Sequence, residues 1–470
     1  MDILRLVLGL ALPWLLGAAL LRALPPRAAA GDDPGSIAWT LGCGWFAGAF
    51  LLTLWMRALS WAGVKFGVVA IGAPLAAVAA LAGWFAWRHG HGRLALPIRD
   101  ALRAIAAADL AGWKRVVWLA LLGWLAFRFA LLLAEVIWRP LYPWDAWSHW
   151  ATKARVWFEL KSIVPFVAAP EWLQQGNLGY TDYNPHYPAT VPLLQVWAAT
   201  LLGRWDDALI NLPWWLCGVA FALAIHGFLA QRGFDALWAL IGTWLVVSLP
   251  ILDAHVALAG YADLPMAAYL TLAVLAGLRW IEERRWGDAA LMLLFATACI
   301  LVKNPGKIWV LVMVPAAVAG LLPRHGLRVA FAGFGVAIAL FVVLARLDLV
   351  LLGYRLHLEF DLPWRGLVDA YFAFGNWHLL WYGAIAAALL GWRQLFSKEL
   401  APLTIVVAAG LLFLFFGFAF TNARLWVEDQ STVNRATLHL APLVAVWMVL
   451  VMRAWAAQSQ RAVAAPRVPA

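Results

Sequence analysis

Apolar windows of about twenty residues recur along almost the whole chain. Each is long enough to cross a bilayer, and a crossing segment must satisfy its own backbone hydrogen bonds. The windows are continuous rather than alternating, so they predict helices and not barrel strands. They fall at 3–22, 37–57, 64–87, 115–138, 206–230, 234–252, 262–281, 286–302, 306–322, 329–352, 377–392, 401–420 and 437–453. The expected fold is therefore an all-α, polytopic transmembrane helical protein with about thirteen spans. Composition agrees: 64% of residues are hydrophobic and 13% charged, against about 25% charged in a soluble domain.

The first window resembles a signal peptide, with Ala28-Ala29-Ala30 as a passable cleavage pattern. Its charge is weak and many spans follow, which favours a retained helix. The segment 187–202 is apolar but short, and Pro188, Pro192 and Arg204 bracket it. At about sixteen residues it predicts an interfacial or re-entrant helix rather than a span. The short loops carry the cations: Arg88, Arg93, Arg99, Arg103, Lys114 and Arg115 in one, Arg279, Arg284 and Arg285 in another. Arg324 with Arg328, Arg393 with Lys398, and Arg453, Arg461 and Arg467 complete the set. All fall on one side if 139–186 is on the other, and that side is the expected cytoplasmic one. The net charge of +10 then reflects membrane orientation, and nucleic acid is not an expected partner. Membrane lipids are. Cys43, Cys217 and Cys299 lie in apolar runs without metal-like spacing. Arg128 and Glu135 share a helix face in 115–138, where they either stabilise packing or line a cavity.

The chemistry-bearing residues gather at span ends on the expected outer side. Leu141 to Arg155 sets Asp145, His149, Lys153 and Arg155 among Trp144, Trp147 and Trp150. An interfacial helix with an aromatic belt would explain the tryptophans alone. Asp182, Tyr183, Asn184, His186 and Tyr187 follow in the same loop. Asp263 opens a span in Gly-Tyr-Ala-Asp-Leu-Pro, Lys303 and Asn304 sit in Lys-Asn-Pro-Gly, and Asn434 and Arg435 precede the last window. Ionisable groups at such places are functional candidates. Each also has an ordinary alternative: a helix cap for Asp263, snorkelling for Lys303 and Lys307, headgroup pairing for Arg435.

The Trp144-Asp145-Ala146 segment, the His186-Tyr187-Pro188 helix start, the Gly-Tyr-Ala-Asp263-Leu-Pro motif and the Lys303-Asn304-Pro-Gly turn resemble the GT-C superfamily of integral-membrane glycosyltransferases. The likeness is to the bacterial branch related to protein mannosyltransferases and aminoarabinose transferases, and it covers about residues 115–453. Two departures stand out. Asp145 is a single acid where many members carry an acidic pair, and Pro305 stands where relatives often have Glu. The resemblance implies a GT-C-like core at 115–453 with an outer loop at 139–186, preceded by extra spans at 1–114 and followed by a cytoplasmic tail at 454–470. It implies inverting transfer of a sugar from a polyprenyl-phosphate donor to a hydroxyl of a glycan, lipid or protein, at the outer face of a cell inner membrane. In that scheme Asp145 is the general base, with Asp263 orienting the acceptor or holding a cation. Lys303, Arg435 and His186 face the donor phosphate. Trp144, Trp147, His149, Lys153, Asp182, Tyr187 and Asn304 line the substrate site. No nucleotide-binding pattern occurs, so the expected donor is a lipid. No cofactor is expected, although acids from two loops leave a divalent metal possible. The alternative is a lipid-linked sugar flippase or another secondary transporter.

Overall fold

The computed structural model describes residues 2–25, 35–89, 110, 112–174, 176, 178–322, 324–347, 349–351, 354–355 and 360–464. Ala28–Ala30, Arg93, Arg99, Arg103 and Arg467 lie outside the described residues. The described residues are mostly helical, with two two-stranded pairings among them, 166–167 with 180–181 and 350–351 with 354–355. Among the described residues nine helices are long and apolar enough to cross a membrane. This is an all-α, polytopic membrane protein.

Among the described residues the α-helices of eight or more residues are α1 (Asp2–Ala23), α2 (Ser36–Trp61), α3 (Val68–Arg88), α4 (Trp113–Trp138), α5 (Ala151–Leu160), α6 (Thr190–Leu202), α7 (Leu212–Gln231), α8 (Ala236–Val247), α9 (Pro250–Ala257), α10 (Asp263–Glu283), α11 (Trp286–Val302), α12 (Gly306–Leu321), α13 (Gly326–Arg346), α14 (Leu380–Leu390), α15 (Ala401–Ala419) and α16 (Ala441–Ala464). The windows 286–302 and 306–322 fold as α11 and α12 almost to their expected bounds, but both are short for a span, and the windows 377–392 and 234–252 are altered. Helices α11, α12 and α14 have 17, 16 and 11 residues, so the longest reaches about 25 Å against a hydrocarbon core of about 30 Å. The window 377–392 is cut short because the chain turns at Gly375, with φ +71°, and leaves the helix at Gly391. The window 234–252 is a bent pair, α8 and α9, with 67° between them; Pro250 opens the second arm and prevents continuation.

Two compact units divide the chain. The first comprises 1–248, 252–272 and 293–304; the second comprises 249–251, 273–292 and 305–470. The expected boundary at 114 falls inside the first unit, because α1, α2 and α3 pack on one another and on α6 and α7. In the second unit α12 packs on α13 and α15, and α14 on α16. There the Trp309 indole donates to His439 Nδ1 at 3.1 Å, and Arg279 pairs with buried Asp288 at 3.0 Å.

Within the first unit, glycines bring α1 and α2 into backbone contact. A Cβ on Gly48 would overlap the Pro13 carbonyl, and one on Gly17 would overlap Gly44. These pairings make the two helices antiparallel, so Arg5 stands level with Met56 and Arg57. Helix α6 joins those two levels. Arg57 donates to Thr190 Oγ1 at 2.9 Å at its first residue, and Arg5 donates to the Leu201 carbonyl near its last. Between them the Trp197 indole reaches the Gly9 carbonyl at 3.1 Å. Both ends of α6 thus lie at one depth, and the helix runs across the bundle rather than through it. Nearly all of its residues are buried.

Arg128 and Glu135 each find a partner other than their helix-face neighbour. Arg128 forms an ion pair with Asp253 of α9, and Glu135 pairs with Arg139 one turn on. A charge within a span is retained where another helix supplies its counter-charge.

Candidate functional site

The 139–186 loop is tied to the end of α2 within the first unit. Ser60 Oγ lies 3.2 Å from Ser162 Oγ and accepts from the Ile163 amide at 3.0 Å. The Phe66 amide donates to the Lys161 carbonyl at 2.8 Å. The 60–66 turn and the 139–186 loop therefore share a membrane face.

A π-turn at Ala146–Trp150 leads into α5; such turns are frequent at functional sites. It carries His149 inward. Lys153, four residues on, points the same way. Both meet Asp182, which the short parallel pairing of 166–167 with 180–181 positions and the Asp182 amide secures on the Val167 carbonyl at 3.1 Å. His149 Nδ1 lies 2.8 Å from Asp182 Oδ1 and Lys153 Nζ 2.8 Å from Oδ2. Lys153 also donates to the carbonyls of Asn184 at 2.7 Å and Pro185 at 3.3 Å. Its three N–H groups are thus committed to holding the 182–185 turn. The three side chains are all but inaccessible, at 5%, 1% and 0% exposure for His149, Lys153 and Asp182.

Burial governs the charges of this cluster. It lowers the His149 pKa, more than the Asp182 hydrogen bond raises it, with the Lys153 charge lowering it further. Burial also lowers the Lys153 pKa, against the pull of Asp182. For Asp182, burial pushes upward, but the bonds from His149 and Lys153 prevail and hold the carboxyl below its ordinary value. Near neutral pH the cluster is a lysine–aspartate pair beside a neutral imidazole. The carboxylate can only accept, so Nδ1 carries the imidazole proton and Nε2 keeps its lone pair. Nε2 is buried without a hydrogen-bond partner, against the Tyr187 and Trp150 rings at 5.1 and 4.4 Å.

A pH effect follows from the sign of these shifts. Below the ordinary histidine value of 6.5, an unfolded loop takes up a proton that the folded cluster refuses. Stability is therefore lost as pH falls from about 6.5, by at most about 1.4 kcal/mol per pH unit. Asp182 adds a second loss in stronger acid, when pH falls through its depressed folded value. Thermal unfolding of the purified protein between pH 7 and pH 5 is expected to show this slope, and His149→Gln is expected to flatten it. Equal slopes in the two proteins would remove His149 as the cause.

Asp145 is half-buried at the start of the π-turn. It is close enough to His149 to favour the protonated imidazole electrostatically. The next residue, Ala146, is fully buried under Gly260. Gly260 has φ +106°, and a Cβ there would come within 2.7 Å of the Ala146 methyl, so only glycine fits. This contact brings the 260–263 turn beside Asp145. Asp263 opens α10, inaccessible, with Oδ1 2.6 Å from Lys303 Nζ at the end of α11. Its partner is thus a cation from 40 residues away, and Lys303 is drawn inward to it rather than snorkelling. Trp144 and Trp147 are exposed and pack edge to face at 5.0 Å. His186 is exposed, and Tyr187 and Asn304 are half-buried.

The first unit therefore holds the Asp145 turn, the Asp182 cluster and the Asp263–Lys303 pair. Arg435 belongs to the second unit, in the short helix Val433–Leu438. Beside it Asn434 accepts from Asn376 at 3.2 Å. Among the described residues no group of three or more His, Cys, Asp or Glu is placed to hold a metal. Two contacts had no sequence signal: Arg128 with Asp253, and Arg57 with Thr190. Comparison with protein-family models, with characterised proteins and with solved structures finds no match.

Proposed function

We propose that this protein is a membrane glycosyltransferase that moves a sugar from a polyprenyl-phosphate carrier to an acceptor hydroxyl at the outer face, with inversion. The supporting observation is the division of labour between two carboxylates. Asp145 is half-buried beside the exposed Trp144–Trp147 pair, while Asp263 is inaccessible and bound to Lys303. An accessible carboxylate suits a general base, and a buried one paired to a lysine suits the holding of a cation.

In this scheme Asp145 takes the proton of the acceptor hydroxyl. The acceptor oxygen bonds to the anomeric carbon from the face opposite the phosphate. The carbon–oxygen bond to phosphate breaks, and the lipid phosphate leaves with the electron pair. Cations at the bilayer surface stabilise the departing charge. Lys303 and His186, both in the first unit, are the candidates. The exposed tryptophans offer flat faces to sugar rings.

The transporter alternative draws on the bent α8–α9 pair and the Arg128–Asp253 ion pair, since broken helices and intramembrane charges occur in secondary transporters. Reconstituted liposomes separate the two. The expected result is sugar transfer from a polyprenyl-phosphate sugar to an added acceptor, with release of polyprenyl phosphate. Movement of the lipid-linked sugar between leaflets without bond cleavage would replace the transferase reading with the flippase one.

A further inference from the structure

Arg57 lies four residues before the end of α2, about 6 Å inside it along the axis. That end of α2 shares its membrane face with the 139–186 loop, through Ser60 and Phe66. The guanidinium donates through Nη2 to Thr190 Oγ1 at 2.9 Å. The Thr190 hydroxyl in turn donates to the Leu301 carbonyl at 2.6 Å. Arg57 thus stands where two candidate segments meet: Thr190 is four residues after His186, and Leu301 two before Lys303.

Other cations drawn into the first unit are paired with carboxylates. Lys153 has Asp182, Lys303 has Asp263 and Arg128 has Asp253. Among the described residues no carboxylate pairs with Arg57, and its Nε is buried without an acceptor. A guanidinium with one neutral hydrogen bond keeps most of its five donors for something else. At this depth an anion at the membrane surface can supply its counter-charge. A planar fork suits the oxygens of a phosphate.

We infer that Arg57 binds the phosphate of the lipid-linked donor, together with the Thr190 turn, and that the N-terminal spans thereby supply a residue of the substrate site. This rests on the transferase reading for the identity of the lipid. The phosphate of a bilayer phospholipid has the same chemistry, and the test separates the two sources.

The full-length protein in phosphatidylcholine nanodiscs is titrated with undecaprenyl phosphate, undecaprenol, phosphatidylglycerol and inorganic phosphate. Binding is read by native mass spectrometry, and folding by thermal unfolding. The wild type is expected to bind undecaprenyl phosphate in preference to undecaprenol and to phosphatidylglycerol. Arg57→Gln is expected to weaken that binding about tenfold or more, as loss of a charge-assisted bond does. Arg57→Lys, which keeps the charge without the fork, is expected to fall between them, and it decides the matter if Arg57→Gln does not fold. Undecaprenyl phosphate binding unchanged in folded Arg57 variants would overturn the assignment, even if sugar transfer persists. Equal Arg57 dependence for phosphatidylglycerol would also overturn it, making the residue a headgroup anchor. Absence of sugar transfer in the wild type would count against the transferase reading alone, because the binding arms still report on Arg57.

Discussion

Asp145→Asn is expected to abolish sugar transfer while leaving the protein folded and able to bind its lipid donor. The substitution keeps the size of the side chain and one oxygen acceptor but removes the basic carboxylate. General-base catalysis contributes about 10²–10⁴-fold, so the residual rate should be lower by that factor. Asp145 is half-buried, and the fixed packing beside it belongs to Ala146 under Gly260. Loss of the charge should therefore leave that packing intact. Donor binding and turnover, measured in parallel on the purified variant, separate chemistry from binding. Near-normal turnover in Asp145→Asn would assign the base to another group. Asp263→Asn is the useful contrast: it removes the counter-charge of Lys303, so donor binding and stability should suffer along with the rate.

Asp182→Asn is expected to act on the fold. It leaves the Lys153 ammonium inaccessible and without its counter-charge, at a cost of about 3–5 kcal/mol for one partner of a buried pair. The amide oxygen can still accept from His149 Nδ1, but the amide NH2 then faces the Lys153 ammonium, donor against donor. The outer loop should then lose its ordered 182–185 turn and become sensitive to protease at temperatures where the wild type resists. Lys153→Met added to Asp182→Asn is expected to recover part of the loss, since an apolar side chain replaces an uncompensated charge. A protein carrying Asp182→Asn that melts with the wild type would contradict the structural role. One that melts normally but is inactive would move Asp182 into the catalytic machinery.

The sequence reveals segments far better than partners. The windows at 37–57, 115–138 and 401–420 fold as helices close to their expected bounds, because span length is set by the bilayer and shows as an uninterrupted apolar run. The windows at 286–302 and 306–322 also become helices, but of 17 and 16 residues. Which faces meet is another matter. Helices packing in lipid have no polar side to turn away from the core, so periodicity does not mark the buried face. Arg57 and Thr190 are 133 residues apart, and nothing local to either points to the other. The 139–186 loop illustrates both limits. Its concentration of Asp145, His149, Lys153 and Asp182 is visible as composition. The separation of an accessible Asp145 from a sequestered His149–Lys153–Asp182 cluster depends on the π-turn and on the two-residue pairing of 166–167 with 180–181, neither of which has a sequence signature of its own.

The position of α6 bears on how the chain is inserted during synthesis. Apolar segments meet the insertion machinery one after another, and each is partitioned by its own length and hydrophobicity. The 13 residues of α6 fall short of the roughly 20 that commit a segment to cross. Such a segment is not committed to cross by itself, and its buried place depends on packing against its neighbours. Its level placement between Arg5 and Arg57 keeps the in-out alternation of every later helix unchanged. Apolar residues added to either end of α6 would threaten that alternation, and with it the sidedness of everything from α7 onward.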